Sequence, residues 1–209
     1  MTRVLIADDH AIVRKGLVQI LAESPEEFIV DEAHDGADAL AKAAATKYDL
    51  VLVDISMPGR GGLDVLKELK VRLPSVPVLV LSIHPEEQYA VRALKAGASG
   101  YVTKDTAEQE LLAAIGKVRQ GGRYVSPSLA ETLAGLVGDP DRPRHAALSD
   151  REYQILSLLA SGKTSSAIAL ELSLSVKTIS TYRIRLLKKM NMKNNAQLTH
   201  YFIRTIGLD

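Results

Sequence analysis

The first 120 or so residues alternate between two hydrophobic rhythms. Short apolar runs rich in β-branched residues occur at Val4–Ala7, Phe28–Val30, Leu50–Val53, Val76–Leu81 and Gly100–Thr103. Their length and composition are those of strands buried on both faces. Between and after them, residues 11–22, 36–46, 62–73, 86–96 and 107–120 carry apolar side chains three and four apart, as Leu63, Leu66, Leu69 and Leu73 do. That spacing predicts amphipathic helices. Strict strand–helix alternation repeated through the segment predicts a (βα)5 doubly wound parallel sheet with helices on both faces.

The pattern lapses after Gly121-Gly122. Residues 136–145 combine Pro140, Pro143, Gly138 and charges of both signs, as a linker does, with a short helix expected over residues 128–137 from the spacing of Leu129, Leu133 and Leu136. From Leu148 onward the chain reads as all-α. Ser149 and Glu152 fit a capping box that opens a helix stopped by Gly162. Further helices are expected over 165–172, 176–190 and 195–206, with a turn at 173–175 between the second and third. The expected organisation is an α/β domain over 1–122, a linker over 123–147 and a four-helix domain over 148–209.

Charge divides the same way. The whole chain of 209 residues carries a net charge of +1, but its α/β part is acidic and residues 148–209 hold nine Lys/Arg against four Asp/Glu. An acidic half suits cations and a basic module suits polyanions such as DNA, although solvated helix faces produce such asymmetry too. There is no cysteine, so any metal must take oxygen or imidazole ligands. The N-terminal apolar run is too short for a signal peptide, and no apolar stretch approaches the roughly 20 residues of a membrane span, so a cytoplasmic protein without membrane association is expected.

In such sheets ligands gather beyond the carboxyl ends of the strands. Strand one ends in Asp8-Asp9, strand three in Asp54, strand four in Ser82 and strand five in Lys104. Each alone is ordinary, since strand-end aspartates often cap the following helix. Together they permit phosphoryl transfer to a carboxylate. Crowded carboxylates need a hard cation, and Mg²⁺ favours one or two of them plus water and phosphate oxygens. Asp8 and Asp9 are expected to hold it, Asp54 to act as the nucleophile, Lys104 to neutralise the transferring group and Ser82 to hydrogen-bond a phosphate oxygen.

The segments Asp8-Asp9-His10, Val53 to Gly62, Leu81-Ser82-Ile83-His84 and Gly97 to Lys104 resemble the receiver domains of NarL/FixJ-type response regulators of two-component systems, over about 120 residues. The resemblance implies a flavodoxin-like fold and a phosphoacceptor at Asp54. Asp8, Asp9, Asp54 and the Ser56 carbonyl would bind Mg²⁺, Lys104 and Ser82 would contact the phosphate, and Ser82 and Tyr101 would form a switch pair. It also implies a cognate sensor histidine kinase as phosphoryl donor.

The helix, turn and helix at 165–190 have the arrangement that lays a recognition helix in the major groove. Its expected outward polar set is Lys177, Thr178, Ser180, Thr181, Arg183, Arg185, Lys188 and Lys189, cations for phosphates and hydroxyls for base edges. Val176, Ile179, Leu186, Leu187 and Met190 are expected to face the other helices. Residues 148–152, 159–163 and 176–190 resemble the LuxR-type DNA-binding domain. Ser180 and Tyr182 stand where many members have lysine and histidine, and Thr164-Ser165-Ser166 replaces a more polar run. The resemblance implies that the last helix, through Leu198, Tyr201 and Phe202, pairs two DNA-bound modules, which predicts an active homodimer on inverted-repeat half-sites. RNA polymerase is a further candidate partner.

The reading is therefore a phosphorylation-switched transcription regulator and not an enzyme. A haloacid-dehalogenase-like phosphatase would need a second aspartate two residues after the nucleophile, where this chain has Ser56. A regulator acting through constitutive protein contacts, without phosphorylation, is the other alternative, and the intact set Asp8, Asp9, Asp54, Ser82 and Lys104 speaks against it.

Overall fold

A computed structural model describes residues 1–135 and 143–206, which fall into two compact units, Met1–Ala134 and Gly135–Asp209. The first unit follows the expected alternation: β1 (Thr2–Ala7), α1 (Ala11–Ala22), β2 (Phe28–Ala33), α2 (Gly36–Ala45), β3 (Leu50–Asp54), α3 (Gly62–Arg72), β4 (Val78–Ser82), α4 (Glu86–Lys95), β5 (Gly100–Thr103) and α5 (Ala107–Arg119). The strands lie parallel in the order β2-β1-β3-β4-β5. β3 and β4 are buried at every position, as central strands covered on both faces must be, whereas the edge strand β2 is mostly half-exposed. Val4, Ile6, Leu50, Leu52, Leu79, Leu81 and Val102 form one core with Leu17 and Leu21 of α1 and Leu111 and Ile115 of α5. Chain order reverses between β1 and β3, which are neighbours, and at that switch point Asp8 and Asp54 leave adjacent strands.

Residues 123–134, expected as linker, instead pack with this unit. Tyr124 donates its N–H to the Ser99 carbonyl at 2.9 Å and bridges Gly100 on the edge strand β5, and α6 (Pro127–Gly135) follows. A Cβ on Gly100 would stand 2.8 Å from Tyr124 atoms and from Leu79, so glycine is what lets the segment approach the sheet edge. The remainder of the expected 128–137 helix, and most of the Pro/Gly-rich stretch, lie outside the described residues.

The second unit opens on a 3-10 turn at Arg144–Ala147 and continues through α7 (Asp150–Ala160), α8 (Ser165–Glu171), α9 (Val176–Met190) and α10 (Asn195–Thr205). Each helix is capped by a short polar side chain that accepts from the third helical amide: Ser149, Thr164, Ser175 and Asn194. Tyr153, Leu156, Ile168, Ile179, Leu186, Met190, Leu198 and Phe202 are buried. Val176, expected inward, is 47% exposed at the first position of α9; Leu187 is half-buried.

The capping box is tied to the rest of the unit. Glu152 accepts from Ser149 N–H at 2.8 Å and from Lys189 Nζ of α9 at 2.7 Å. Burial pushes the Glu152 carboxyl up, but Lys189 and the Ser149 donors outweigh it and hold the group below the ordinary glutamate value of 4.5. A carboxyl depressed on folding stabilises the unit above its unfolded value, and that contribution drains away as pH falls below 4.5 and through the folded value. Glu152→Ala is expected to lower the stability of the second unit by about 1–2 kcal/mol and to flatten its acid-side loss of stability, both read by thermal unfolding against pH.

Candidate functional site

Beyond the carboxyl ends of β1, β3, β4 and β5 the sheet gathers all the groups expected there. Asp8 and Asp54 are fully buried, as is Ser82. Lys104 Nζ sits 2.8 Å from Asp54 Oδ2, to which it donates, and 2.7 Å from Asp8 Oδ2. The Ser56 N–H donates to Asp54 Oδ1 at 3.1 Å, and the His10 N–H to Asp8 Oδ1 at 2.8 Å. The ammonium thus lies between two buried carboxylates and screens their mutual repulsion.

Burial holds the Asp54 carboxyl above the ordinary aspartate range; Lys104 pulls it down, Asp8 pushes it up, and burial prevails. For Lys104 burial alone would lower the ammonium, but Asp54 and Asp8 reverse this and leave it above the ordinary lysine value. A permanently cationic lysine against a strained carboxylate is the electrostatic setting for receiving an anionic phosphoryl group.

The donor set also fits a hard divalent cation. Ligand atoms of Asp8, Asp9, His10 and Asp54 lie within 4.8 Å of one another. Asp8 Oδ2 lies 2.7 Å from Lys104 Nζ and Asp9 Oδ1 3.0 Å from His10 Nδ1, so the groups beside these two buried oxygens are a lysine ammonium and an imidazole. Carboxylate oxygens of Asp8, Asp9 and Asp54 gathered around one small volume are the hard donor set that Mg²⁺ takes.

Ser82 and Tyr101 are joined through one residue that sequence reasoning gave no role. Ser82 Oγ accepts from the His84 N–H at 2.9 Å, and Tyr101, its ring fully buried, donates its hydroxyl to the His84 carbonyl at 2.8 Å. The His84 ring lies 3.2 Å from Ser56 Oγ and packs against Tyr89. The linking groups are backbone N–H and C=O, to which side-chain identity is blind.

The basic module presents fewer open cations than its sequence suggested. Lys177, Arg185 and Lys188 of α9 are exposed, and the Arg185 guanidinium stacks 6.0 Å from the Tyr182 ring. Arg183 instead donates to Asn195 at the start of α10, at 2.6 Å, and Lys189 pairs with Glu152. Thr178 Oγ1 lies 2.8 Å from the capping Ser175 hydroxyl, while the Ser180 and Thr181 hydroxyls donate to carbonyls one turn back. Ile184, not singled out by pattern, is 65% exposed on the same helix.

On α10 the structure corrects the expected pairing residues. Leu198 and Phe202 are fully buried within the module, Phe202 facing Tyr153 of α7, so neither has surface left to meet a second copy. Tyr201 is half-buried and its hydroxyl is 3.0 Å from His145 Nδ1. The outward residues of α10 are Ala196, Gln197, His200, Ile203, Arg204 and Thr205. Helical spacing marked a real apolar stripe, but the stripe serves the core.

A site of this kind at the switch point of a (βα)5 sheet, followed by a helix-turn-helix unit, defines a class. Residues 4–116 match the response regulator receiver domain, and residues 146–202 match the bacterial regulatory proteins of the luxR family. The chain belongs to the two-component response regulators that join a receiver to a LuxR-type DNA-binding domain and regulate transcription. It is 36% identical over 206 residues to the response regulator UvrY of Escherichia coli K12, covering 98% of this chain and 94% of that protein. It is 37% identical over 207 residues to the response regulator GacA of Pseudomonas aeruginosa, covering 98% and 96%. Among solved structures, RcsB from Salmonella enterica serovar Typhimurium, bound to promoter rprA in the presence of phosphomimetic BeF3-, superposes with a TM-score of 0.67 at 28% identity, covering 96% of this chain and 98% of that one.

Proposed function

We propose that Asp54 accepts the phosphoryl group, from a sensor histidine kinase or a small acyl phosphate, and that this controls how the second unit engages DNA. The observation that supports it most is Lys104 Nζ lying within 2.8 Å of both the Asp54 and the Asp8 carboxylates. An Asp54 carboxylate oxygen attacks phosphorus, the bond from phosphorus to the donor's leaving atom breaks, and an acyl phosphate forms on Asp54. Lys104 stays cationic and neutralises the phosphoryl oxygens, while the Ser56 N–H orients the attacking carboxylate. Asp8, Asp9, Asp54 and the Ser56 carbonyl would hold Mg²⁺, which when bound screens charge on the transferring group. Ser82 then turns its hydroxyl to a phosphate oxygen, releasing the His84 N–H, and Tyr101 follows through the His84 carbonyl. We read the chain as a regulator without turnover chemistry of its own, acting in the cytoplasm, with domain limits at 1–122 and 148–209 extended on the receiver side by the packed segment 123–134.

For the output, Lys177, Arg185 and Lys188 serve phosphates and bases directly, with Tyr182 beside Arg185. Thr178, Ser180 and Thr181 reach bases only by giving up their present hydrogen bonds. Modules pair on inverted-repeat half-sites through the outward face of α10, with RNA polymerase a further partner. Lys177→Ala and Lys188→Ala are each expected to weaken binding to all sequences alike and to reduce the slope of log affinity against log salt by about 0.9 for each phosphate left unneutralised, whereas Arg183→Ala and Lys189→Ala act mainly on the module's stability. Fluorescence anisotropy across a salt series separates the two groups.

The test of the whole reading is incubation with acetyl phosphate and Mg²⁺, followed by intact mass, gel filtration and selection from random-sequence DNA. One added phosphoryl group, lost in EDTA, together with a selected inverted repeat, supports it. Absence of uptake refutes the receiver chemistry; absence of any selected DNA refutes the output.

A further inference from the structure

The segment that leaves the receiver is held by the same loop that carries the switch. Glu86, the first residue of α4, lies two positions beyond His84, whose N–H and C=O engage Ser82 and Tyr101. Its Oε2 accepts from the hydroxyls of Ser126 and, at 2.8 Å, Ser128, on either side of the start of α6. Ser126 Oγ at the same time accepts from the Leu129 N–H, so it caps α6 and anchors it. Farther back, Tyr124 bridges Gly100 on β5, and burial together with Glu110 and Glu86 pushes its hydroxyl up to about 12.

We propose that Glu86 is the latch through which phosphorylation reaches the inter-domain tether: it clamps residues 124–135 to the receiver at rest and lets them go when the 82–86 loop rearranges. This rests on the phosphoacceptor reading above. The attachment is suited to release. Beside it, Pro85, Glu86, Thr103, Glu110, Ser126 and Pro127 line an open cleft of about 480 Å³, so beyond the packed Tyr124 and Leu129 the start of α6 is held by point contacts. When Ser82 turns to the phosphate, the His84 N–H loses its acceptor, and the loop bearing Glu86 loses one of the ties that fix it, with the Tyr101 bond to the His84 carbonyl disturbed in turn. A nine-residue helix is marginal on its own in water, so α6 off the receiver frays, and the tether to the second unit then begins near Arg123 instead of near Gly135.

Hydrogen exchange of the full chain, with and without beryllofluoride plus Mg²⁺, tests this. In the wild type, beryllofluoride should speed exchange across residues 124–135 at least about tenfold, with changed protection at 54–60 and 82–86. Asp54→Asn should show neither effect. Glu86→Ala, and separately Ser126→Ala with Ser128→Ala, should expose 124–135 without beryllofluoride while sheet peptides keep their protection and phosphoryl uptake is unchanged. If peptides 54–60 and 82–86 respond while 124–135 does not, the latch is wrong and the acceptor reading stands. Full protection of 124–135 in Glu86→Ala likewise overturns the latch. If no peptide responds in the wild type, the acceptor reading fails and the latch falls with it.

Discussion

Asp54→Asn is expected to take up no phosphoryl group from acetyl phosphate and, in EDTA, to melt at a higher temperature than the wild type. The loss of uptake follows from chemistry, because an amide is not the nucleophile and no other carboxylate among the described residues shares its contact with both Lys104 and the Ser56 N–H. The gain in stability follows from electrostatics. Burial holds the Asp54 carboxyl above its ordinary value of 3.8, so the folded state binds that proton more tightly than the unfolded chain does. The resulting penalty sets in as pH rises through 3.8 and grows until pH passes the folded value. Asparagine removes it, and Lys104 keeps Asp8 as its partner at 2.7 Å. Mg²⁺ binds the folded wild type more tightly than the variant and so should narrow the gap. Calorimetry in EDTA and in Mg²⁺, at pH 7, reads both; a wild type more stable than the variant in EDTA would contradict the assigned strain.

Gly62→Ala should cost far more than its size suggests. Gly62 opens α3 and donates its N–H to the Ile55 carbonyl at 3.0 Å, closing the loop that follows Asp54. A Cβ there would stand 1.9 Å from the Asp54 carbonyl oxygen and 2.7 Å from the Asp54 carbonyl carbon. All these neighbours are backbone, so relief requires moving β3's end or α3 itself. A loss of about 3 kcal/mol or more is expected, with impaired phosphoryl uptake in whatever folds. Gly116→Ala supplies the contrast, since its Cβ meets nothing within 4 Å in the middle of α5 and should stabilise by about 0.5–1 kcal/mol. Urea denaturation of the pair distinguishes a close-approach glycine from a merely helical one.

The acidic pocket was readable in the chain because strand ends are marked by where apolar runs stop. Asp8, Asp54, Ser82 and Lys104 each follow such a run, and a parallel sheet brings run ends together whatever the loops do. What lay between runs was not readable. The tie from Ser82 to Tyr101 passes through the backbone of His84, and the docking of residues 123–134 depends on one bridge at Tyr124, two serine hydroxyls and the isolated apolar side chains of Tyr124 and Leu129, too sparse to show as periodicity. In the second unit, helical spacing correctly found the stripe Leu198, Tyr201 and Phe202 but could not tell a stripe facing the core from one facing a partner, since both demand the same residues. The outward cations of α9 were overcounted for a related reason. Lys189 is engaged by Glu152, 37 positions earlier, and Arg183 by Asn195 across a turn, and such pairings come from tertiary packing alone.

The central claim is that a phosphoryl group on Asp54 governs DNA binding by the second unit. Its most direct test is the affinity of the full chain for a selected DNA site at fixed ionic strength, measured with and without beryllofluoride plus Mg²⁺, for the wild type and Asp54→Asn. The account predicts that beryllofluoride tightens binding of the wild type at least about tenfold, a coupling of about 1.4 kcal/mol, and leaves the variant unchanged. Equal affinity of the wild type in both conditions, or an equal response in the variant, would contradict it.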